Sequence, residues 1–257
     1  MWLWRIIRGV MDTAFIVGNG ESRNIFPIEN LKGKGVIYGC NAIYRDHPML
    51  CDHIVAVNPP MYEELATWHN NGKESPQIYG RDNISEWDYI CDGDDEIDVP
   101  EGLKIYRVWR GGDIKKGGKI KTNDFSRAKG SGCSAVLLAA ESGVKNIMIL
   151  AFDIMGARQW EMETPSRIQN NIYKSSNNYP GRESMKAYLK YEWMYQLRQT
   201  FRKFPGTNFH FINRREYLEG NPFLRWYFDQ PNIKCGIYAD LQRWISGARD
   251  DITWKTL

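Results

Sequence analysis

The feature that most constrains this 257-residue chain is a helical pattern that runs directly into a strand pattern. The stretch GSGCSAVLLAAESG, residues 130–143, opens with serine, continues in alanine and leucine, and closes with glycine, which is typical of a helix with both ends marked. It is followed by KNIMILAFD, residues 145–153, a continuous apolar run typical of a strand buried on both faces. This succession predicts a parallel sheet with helical crossovers.

Further strand patterns extend the same alternation along the first half of the chain. They are TAFIVG, GVIYGCNA, HIVAVN, QIYG and KIYRVW, and the third is followed by the helical pattern PMYEELATWHNNG. We therefore predict a Rossmann-like α/β fold, a mostly parallel sheet flanked by helices. Later, ESMKAYLKYEWMYQLRQTFRKF predicts a helix from the spacing of its apolar residues, and NFHFIN predicts a last strand.

No repeat or low-complexity linker divides the chain, so we expect a single domain with its core in residues 11–153. Residues 154–182 are polar and rich in Asn, Ser, Gly and Pro, which predicts a long loop or lid. Residues 183–257 are expected to add helices and one strand. The aromatic tail after Arg214 is predicted to pack as helical pieces or to form a subunit interface, which leaves oligomerisation open. Residues 1–10 are expected to be a leader or surface extension, or to result from a start upstream of Met11.

Composition sets few limits on function. Apolar residues make up 42% of the chain and charged residues 25%, as in an ordinary globular protein. The net charge of +3 does not by itself indicate a nucleic-acid partner. Five scattered cysteines, without the spacing of a zinc site, favour a reducing cytoplasm, and no stretch predicts a membrane span.

The first predicted strand ends in a glycine turn, GNGESR, residues 18–23. Gly18 and Gly20 allow close approach of a ligand and can direct backbone amides at an anion. A dinucleotide fingerprint needs a third glycine or an alanine where Arg23 stands, and an acidic residue near Asn41. The turn therefore predicts a site for the phosphate of one nucleotide, with a ligand-free turn at the end of a strand as the alternative.

Three segments together resemble a known pattern. VGNGESR, YGCNAIYR and GSGCSAVLLAAESGVKNIMILAFDI are similar to the G-N-G-P-S, C-N and S-G…G-x-D segments of bacterial sialyltransferases that use CMP-sialic acid. They also resemble archaeal-type 6-hydroxymethylpterin diphosphokinases and, together with NNIYKSSNNY, uncharacterised proteins of tailed phages. The resemblance covers residues 13–50 and 128–180. It implies a nucleotide-dependent transferase, which would work in the host cytoplasm if it is phage-encoded.

The resemblance also implies roles for individual residues at strand ends, at the helix start and in the lid. Phosphate groups would be held by the glycine turn and by tyrosines, the sugar or base by an asparagine, and the leaving-group charge by cations. The predicted nucleotide-binding residues are Gly18, Asn19, Gly20, Ser22, Asn41, Ser131, Gly132 and Tyr179; the predicted catalytic residues are Asp153 and Tyr173; the assisting cations are Arg167 and Lys174. His47 is a further catalytic candidate because it lies close to Asn41 in the sequence, and the resemblance does not imply it. An alternative for Asp153 is a structural role, capping the next turn.

This sequence departs from the sialyltransferase pattern in two places. Glu21 replaces a proline and adds a negative charge beside the predicted phosphate site. Those enzymes use a histidine base after the region of Asp153, and residues 154–200 here contain no histidine. His47 is therefore the candidate base, whereas His210 alternates with aromatic residues and is expected to be a packed strand residue.

Two charged stretches keep other functions open. Asp92 and Asp94 form a D-x-D pair of the kind that holds Mg²⁺ or Mn²⁺ on a diphosphate, although acidic turns are common. The basic run of residues 110–121 fits a loop that meets phosphate or nucleic acid, or a solvated hairpin.

The leading hypothesis is a glycosyltransferase that uses a CMP- or UDP-type nucleotide-sugar donor. The alternatives are a Mg²⁺-dependent diphosphokinase acting on a small alcohol and a non-catalytic protein that binds or sequesters a nucleotide. The sequence does not identify the acceptor, which it leaves open as a glycan, a small molecule or modified DNA.

Overall fold

The computed structural model describes residues 12–70, 76–80, 130–154, 170–179, 188–219, 224 and 228–255. Within these ranges the chain forms one seven-stranded sheet. Its strands are β1 (Thr13–Val17), β2 (Val36–Cys40), β3 (His53–Val55), β4 (Gln77–Tyr79), β5 (Asn146–Leu150), β6 (Asn208–Asn213) and β7 (Ile233–Ile237). They lie in the order β4-β3-β2-β1-β5-β6-β7, and every neighbouring pair is parallel.

Helices cover both faces of this sheet. They are α1 (Pro59–Asn70), α2 (Ser131–Glu141), α3 (Tyr188–Lys203), α4 (Arg215–Glu219) and α5 (Tyr238–Ser246). Helix α2 is buried along almost its whole length and packs across β1, β2, β3 and β5. The predicted Rossmann-like α/β fold is confirmed, and the helix–strand succession that predicted it is α2 followed by β5.

The order of the strands reverses at β1. Strands β2, β3 and β4 follow one another on one side of β1, and β5, β6 and β7 extend from its other side. In open parallel sheets, ligands bind beyond the carboxyl ends of the strands at such a reversal. The ends of β1, β2 and β5 therefore mark the place where a site is expected.

The core consists of two apolar layers, one on each face of the sheet. In β1, Ala14 and Ile16 face the layer that contains α2 and α3, whereas Phe15 and Val17 face the layer that contains α1 and α5. Since both faces are covered, the inner strands read as continuous apolar runs and show no alternation of apolar and polar residues.

The tail after Arg214 contains a strand that the sequence did not predict. NFHFIN forms β6, but the prediction that it is the last strand is wrong because β7 pairs with it in parallel. The β7 sequence IKCGI is interrupted by a lysine and a glycine and gives no clear strand pattern. Trp254 lies directly over Gly236, so a large ring from the tail fills the space that a side chain on β7 would occupy.

Several predicted features lie outside the described residues. These are the strand KIYRVW, the Asp92 and Asp94 pair, the basic run 110–121, Arg167, and the leader 1–10. None of the helices in the described ranges has the length and apolar character needed to cross a membrane.

His210 occupies the centre of β6 in an aromatic environment. Its ring lies 5.3 Å from the ring of Trp244 and 4.3 Å from that of Trp254, measured between centroids. Neither ring nitrogen has a hydrogen-bond partner among the described residues. Burial, assisted by the charge of Lys234, lowers the pKa of His210 to about 3. His210 is thus a packed strand residue, as its alternation with aromatic residues indicates.

We expect His210 to make stability depend on pH. Its folded-state pKa lies below the unfolded value of about 6.5, so its neutral form favours folding above that pH. Between about pH 6.5 and the folded pKa, the unfolded state takes up the proton first, and the free energy of unfolding falls by up to about 1.4 kcal/mol per pH unit. His210→Phe should reduce this fall in urea titrations at pH 7.0, 5.5 and 4.5. Identical losses in both proteins would contradict the assignment.

Candidate functional site

A cleft of about 150 Å³ opens at the carboxyl edge of the sheet, where the strand order reverses. Its walls come from the ends of β1, β2 and β5, the N-terminus of α2, residues 170–171, and Trp193 of α3. Seven residues predicted for binding or catalysis line it: Gly18, Asn19, Gly20, Asn41, Ser131, Gly132 and Asp153. The structure thus brings residues that are more than a hundred positions apart to the edge where this class of fold binds ligands.

The two glycines of the turn are required by close backbone packing. The Gly18 amide donates to the Leu150 carbonyl at 2.8 Å, and the Gly20 amide donates to the Ala151 carbonyl at 2.9 Å. A Cβ atom on either glycine would lie 2.5 Å from the Ala151 oxygen, so no side chain fits. Because both amides donate to the end of β5, an anion in the cleft has to find its donors elsewhere.

Two other residues at the edge of the cleft adopt the left-handed backbone conformation. Asn41 has a φ of 51° and Ala151 a φ of 56°. Asparagine enters this region readily, but for alanine the conformation is unfavourable by about 1 kcal/mol. Strained backbone of this kind persists where the surrounding structure holds it and is concentrated at ligand sites.

The N-terminus of α2 supplies the donors that an anion needs. The helix begins at Ser131, and its N-cap residue, Gly130, has no capping side chain. The Ser131 hydroxyl oxygen accepts a hydrogen bond from the Val57 amide at 3.1 Å, which holds the helix start against the end of β3. The first-turn amides have no acceptor within the helix, and the macrodipole adds positive potential there. Helix ends of this kind favour anions.

Two amide side chains that line the cleft have unpartnered oxygens. Asn19 Nδ2 donates to the Cys40 carbonyl at 3.1 Å and to the Tyr179 hydroxyl at 3.0 Å, which fixes the orientation of the amide. Asn19 is only 9% exposed, and its Oδ1 has no partner among the described residues. The Oδ1 of Asn41 is likewise buried and unpartnered in that part of the chain. Buried acceptors without partners favour a ligand with hydroxyl or amino groups.

Asp153 lies beneath the glycine turn and holds it in place. Its Oδ2 accepts the Ser22 amide at 2.8 Å, and its Oδ1 accepts the Ser22 hydroxyl at 2.5 Å and Asn213 Nδ2 at 3.0 Å. Burial raises the pKa of Asp153, while these hydrogen bonds and the charge of Arg214 oppose the rise. Asp153 therefore caps the turn, which is the structural role that the sequence left open as an alternative to catalysis. It also lines the cleft. Ser22 faces Asp153, and its predicted contact with a phosphate stays a prediction.

Residues 170–179, the described part of the predicted lid, are docked onto the glycine turn. The Ile172 amide donates to the Asn19 carbonyl at 3.0 Å, and Asn171 pairs with Gly20 in an isolated antiparallel bridge. The Tyr179 hydroxyl contacts Asn19, so in this structure Tyr179 acts on the cleft through that side chain. The segment thus completes the wall of the cleft from the side opposite β5.

Tyr173 and Lys174 are engaged by other side chains and are not among the described residues that line the cleft. The Tyr173 hydroxyl donates to Asp46 Oδ2 at 2.9 Å and accepts from the buried Arg23 guanidinium at 3.0 Å. Lys174 forms an ion pair with Glu21, so the acid that departs from the sialyltransferase pattern has a local partner. Their predicted roles at a phosphate stay predictions.

The predicted histidine base lies away from the cleft. His47 Nδ1 is 2.7 Å from Glu29 Oε1, and no histidine is found among the described lining residues. The cleft contains the thiols of Cys40 and Cys133, and burial raises the pKa of Cys40 to about 12, so it is not a thiolate at neutral pH. Within the described ranges, Asp153 is the carboxylate that lines the cleft, and no cluster of three metal-binding side chains occurs.

Sequence reasoning missed residues that complete the site. Asn213, which holds Asp153, ends β6 in the same way that Asp153 follows β5, so its position at a strand end was a usable signal. Phe152 and Trp193 also line the cleft. The sequence does not mark Trp193 as a site residue, because it lies within an ordinary amphipathic helix pattern and the orientation of its side chain depends on how α3 packs.

No protein-family model and no curated protein matches the sequence. Among solved structures, a putative short-chain dehydrogenase/reductase from Burkholderia multivorans with bound NADP aligns over 88% of this chain and 96% of its own, at 13% identity. The TM-score of that alignment is 0.28. The assignment to the Rossmann-like class rests on the parallel sheet and its strand order.

The close approach of the turn to β5 predicts a matched pair of effects on stability. Gly20→Ala places a methyl group 2.5 Å from the Ala151 oxygen and 2.6 Å from the Asp153 carboxyl carbon, and it should lower the free energy of unfolding by about 2 kcal/mol or more. Gly206→Ala is the control, because its added Cβ meets no atom within 4 Å, and its effect should stay within about 0.5 kcal/mol. Equal effects in urea denaturation would show that the turn does not need a glycine at position 20.

Proposed function

We propose that the cleft binds a nucleotide and that the protein is a nucleotide-sugar-dependent transferase with a CMP- or UDP-type donor. One observation carries the proposal: the N-terminus of α2, which has no side-chain cap, and the oxygens of Asn19 and Asn41, which have no partner among the described residues, belong to the same small cleft at the strand-order reversal. The helix end favours an anion, and the amide oxygens favour donors such as hydroxyl or amino groups. A nucleotide carries both kinds of group on one molecule.

The different lining residues would bind different parts of the ligand. The first-turn amides of α2, beginning at Ser131 and Gly132, would bind the phosphate. Asn19 and Asn41 would accept hydrogen bonds from ribose hydroxyls or from an amino group of the base. The aromatic side chains of Phe152 and Trp193 give the same cleft apolar surface against which a ring can pack.

Transfer of the sugar would use the same groups. The acceptor hydroxyl oxygen forms a bond to the sugar carbon as the bond between that carbon and the phosphate oxygen breaks. The electron pair leaves with the nucleotide, whose charge the α2 amides stabilise. The proton of the acceptor goes to Asp153, for which a raised pKa is an advantage, since a base works best when its pKa approaches the working pH.

A panel of nucleotides tests the binding step. We expect CMP, CDP or a UDP-sugar to raise the melting temperature without added Mg²⁺, and a ligand at about 100 times its Kd adds about 2.7 kcal/mol of stability. Asn41→Gly keeps the left-handed backbone and removes the amide, so it should weaken binding about tenfold. Asn30→Ala, an exposed position, is the matched control and should bind like the wild type.

Other outcomes of this panel would select among the alternatives. A shift that appears only with ATP or GTP in the presence of Mg²⁺ would replace the glycosyl proposal with diphosphoryl transfer. A metal-independent shift without turnover of any nucleotide sugar would leave a nucleotide-binding protein without catalysis. If none of these nucleotides shifts the melting temperature, the assignment of the cleft to nucleotides is wrong.

Asp153→Asn tests the transfer step. Asparagine cannot accept the acceptor's proton, so cleavage of the donor should fall by a factor of about 10² to 10⁴, while the Kd of the nucleotide changes by less than about threefold. Donor cleavage by the wild type should also decline as the pH falls through the raised pKa of Asp153, because protonation removes the base. A folded Asp153→Asn protein with undiminished cleavage would exclude Asp153 as the base.

A further inference from the structure

A second depression lies beside the cleft, at the carboxyl ends of β6 and β7. This groove encloses about 530 Å³, and its lining includes Ile25, Asn213, Arg214, Arg215, Glu216 and Tyr238. We propose that the groove binds the acceptor of the transfer reaction, and that the acceptor is a small hydroxylated molecule with a phosphate or carboxylate group. The identification of this molecule as the acceptor rests on the proposed function of the cleft, whereas its binding in the groove does not.

Hydrogen bonds connect the lining of the groove with that of the cleft. Asn213, which lines the groove, donates from Nδ2 to Asp153 Oδ1 at 3.0 Å. The Tyr238 hydroxyl, on the same side, is 3.1 Å from the Ser22 hydroxyl, which donates to Asp153 in turn. Asp153 lines the cleft, so the two depressions share the partners of one carboxylate.

The spacing of the strands sets the size of a molecule that reaches both depressions. β6 is the neighbour of β5, and β7 is the next strand outward. Neighbouring strands lie about 4.8 Å apart, so the ends of β6 and β7 are about 5 to 10 Å from the end of β5. A single sugar ring with one anionic substituent spans this distance, which favours a small molecule as the occupant.

The charges in the groove favour an anion. The half-buried Arg214 side chain has an Nε without a partner among the described residues. Its backbone amide donates to Asn213 Oδ1 at 2.7 Å, which fixes the backbone of Arg214 at the edge of the groove. Arg215 is exposed and forms a long contact of 3.5 Å with Glu219, and Glu216 is the opposing acid in the lining. A buried guanidinium N–H is best satisfied by a carboxylate or phosphate oxygen.

An apolar side chain in the groove favours an organic anion over an inorganic ion. Ile25 lines the groove and is 54% exposed, which makes it one of two exposed large hydrophobic residues among those the structure describes. Tyr238 adds a ring that stacks on Phe26 at 5.7 Å between centroids. A carbon skeleton would cover Ile25 and place its anionic group on Arg214, whereas a free ion would leave Ile25 in water.

Glucose 6-phosphate, glucuronate, glucose and inorganic phosphate are suitable probes, compared by ligand-observed NMR titration at constant ionic strength. We expect at least one anionic sugar to bind at least tenfold more tightly than glucose, and the better of the two identifies the anionic group as phosphate or carboxylate. Arg214→Gln should weaken this binding about tenfold, since it removes a charged hydrogen bond. Arg202→Gln, an exposed arginine on α3, is the control and should change nothing.

Arg215→Gln is a second variant, chosen because its exposed side chain does not contact Asp153; it should weaken the binding of the anionic sugar about threefold. Equal binding of glucose and the anionic sugars, or full binding by Arg214→Gln, would overturn the proposal. Inorganic phosphate that binds as tightly as glucose 6-phosphate would overturn the requirement for a carbon skeleton. Binding of a DNA oligonucleotide that depends on Arg214, without binding of either anionic sugar, would overturn the assignment to a small molecule.

The same titration in the presence of saturating CMP or UDP-sugar separates this proposal from that for the cleft. Binding of the anionic sugar that persists with the nucleotide, and in Asn41→Gly, supports a distinct groove. Displacement of the sugar by the nucleotide would place both in the cleft and overturn the groove. If no nucleotide binds but the anionic sugar binds through Arg214, the proposed function fails while the groove is upheld as an anion site.

Discussion

The site depends on how closely the glycine turn approaches the end of β5. Gly18 and Gly20 donate to carbonyls at that end, and the Ala151 oxygen occupies the space that a Cβ on either glycine would need. This contact joins the two strands at which the order of the sheet reverses. It also brings Ser22 onto Asp153, so the position of the carboxylate and the shape of the cleft are consequences of the same approach.

The polar groups left over by this packing define what the cleft can bind. The glycine amides are used within the sheet, while α2 contributes a helix start without a capping side chain. The two N–H groups of the Asn19 side-chain amide are directed at the Cys40 carbonyl and the Tyr179 hydroxyl, and its oxygen has no partner among the described residues. The helix therefore offers hydrogen-bond donors and the side chains offer acceptors. A ligand that carries both an anionic group and hydroxyl or amino groups matches this set.

How well the sequence predicts each part of the structure depends on how far apart in the chain the interacting residues lie. Local periodicity predicts α2 and β5, and the strand-ending turns place Gly18, Asn41 and Asp153 at one edge. It does not predict β7, whose glycine is covered by Trp254 from eighteen residues later. The orientation of the Tyr173 side chain is also not predicted by the sequence, because the partners of its hydroxyl lie more than a hundred residues earlier in the chain. Long-range side-chain contacts of this kind leave no periodic trace in a sequence.

If the cleft and the groove bind the proposed ligands, Asp153 would couple them electrostatically. A phosphate at the start of α2 adds negative potential near the carboxylate and disfavours its charged form. An anion on Arg214 neutralises a charge that lowers the pKa of Asp153. Both proposed ligands would therefore raise the pKa of Asp153, and the carboxylate would be a stronger base with donor and acceptor bound together. A base that strengthens with occupancy of both sites would favour proton transfer only in the complete complex.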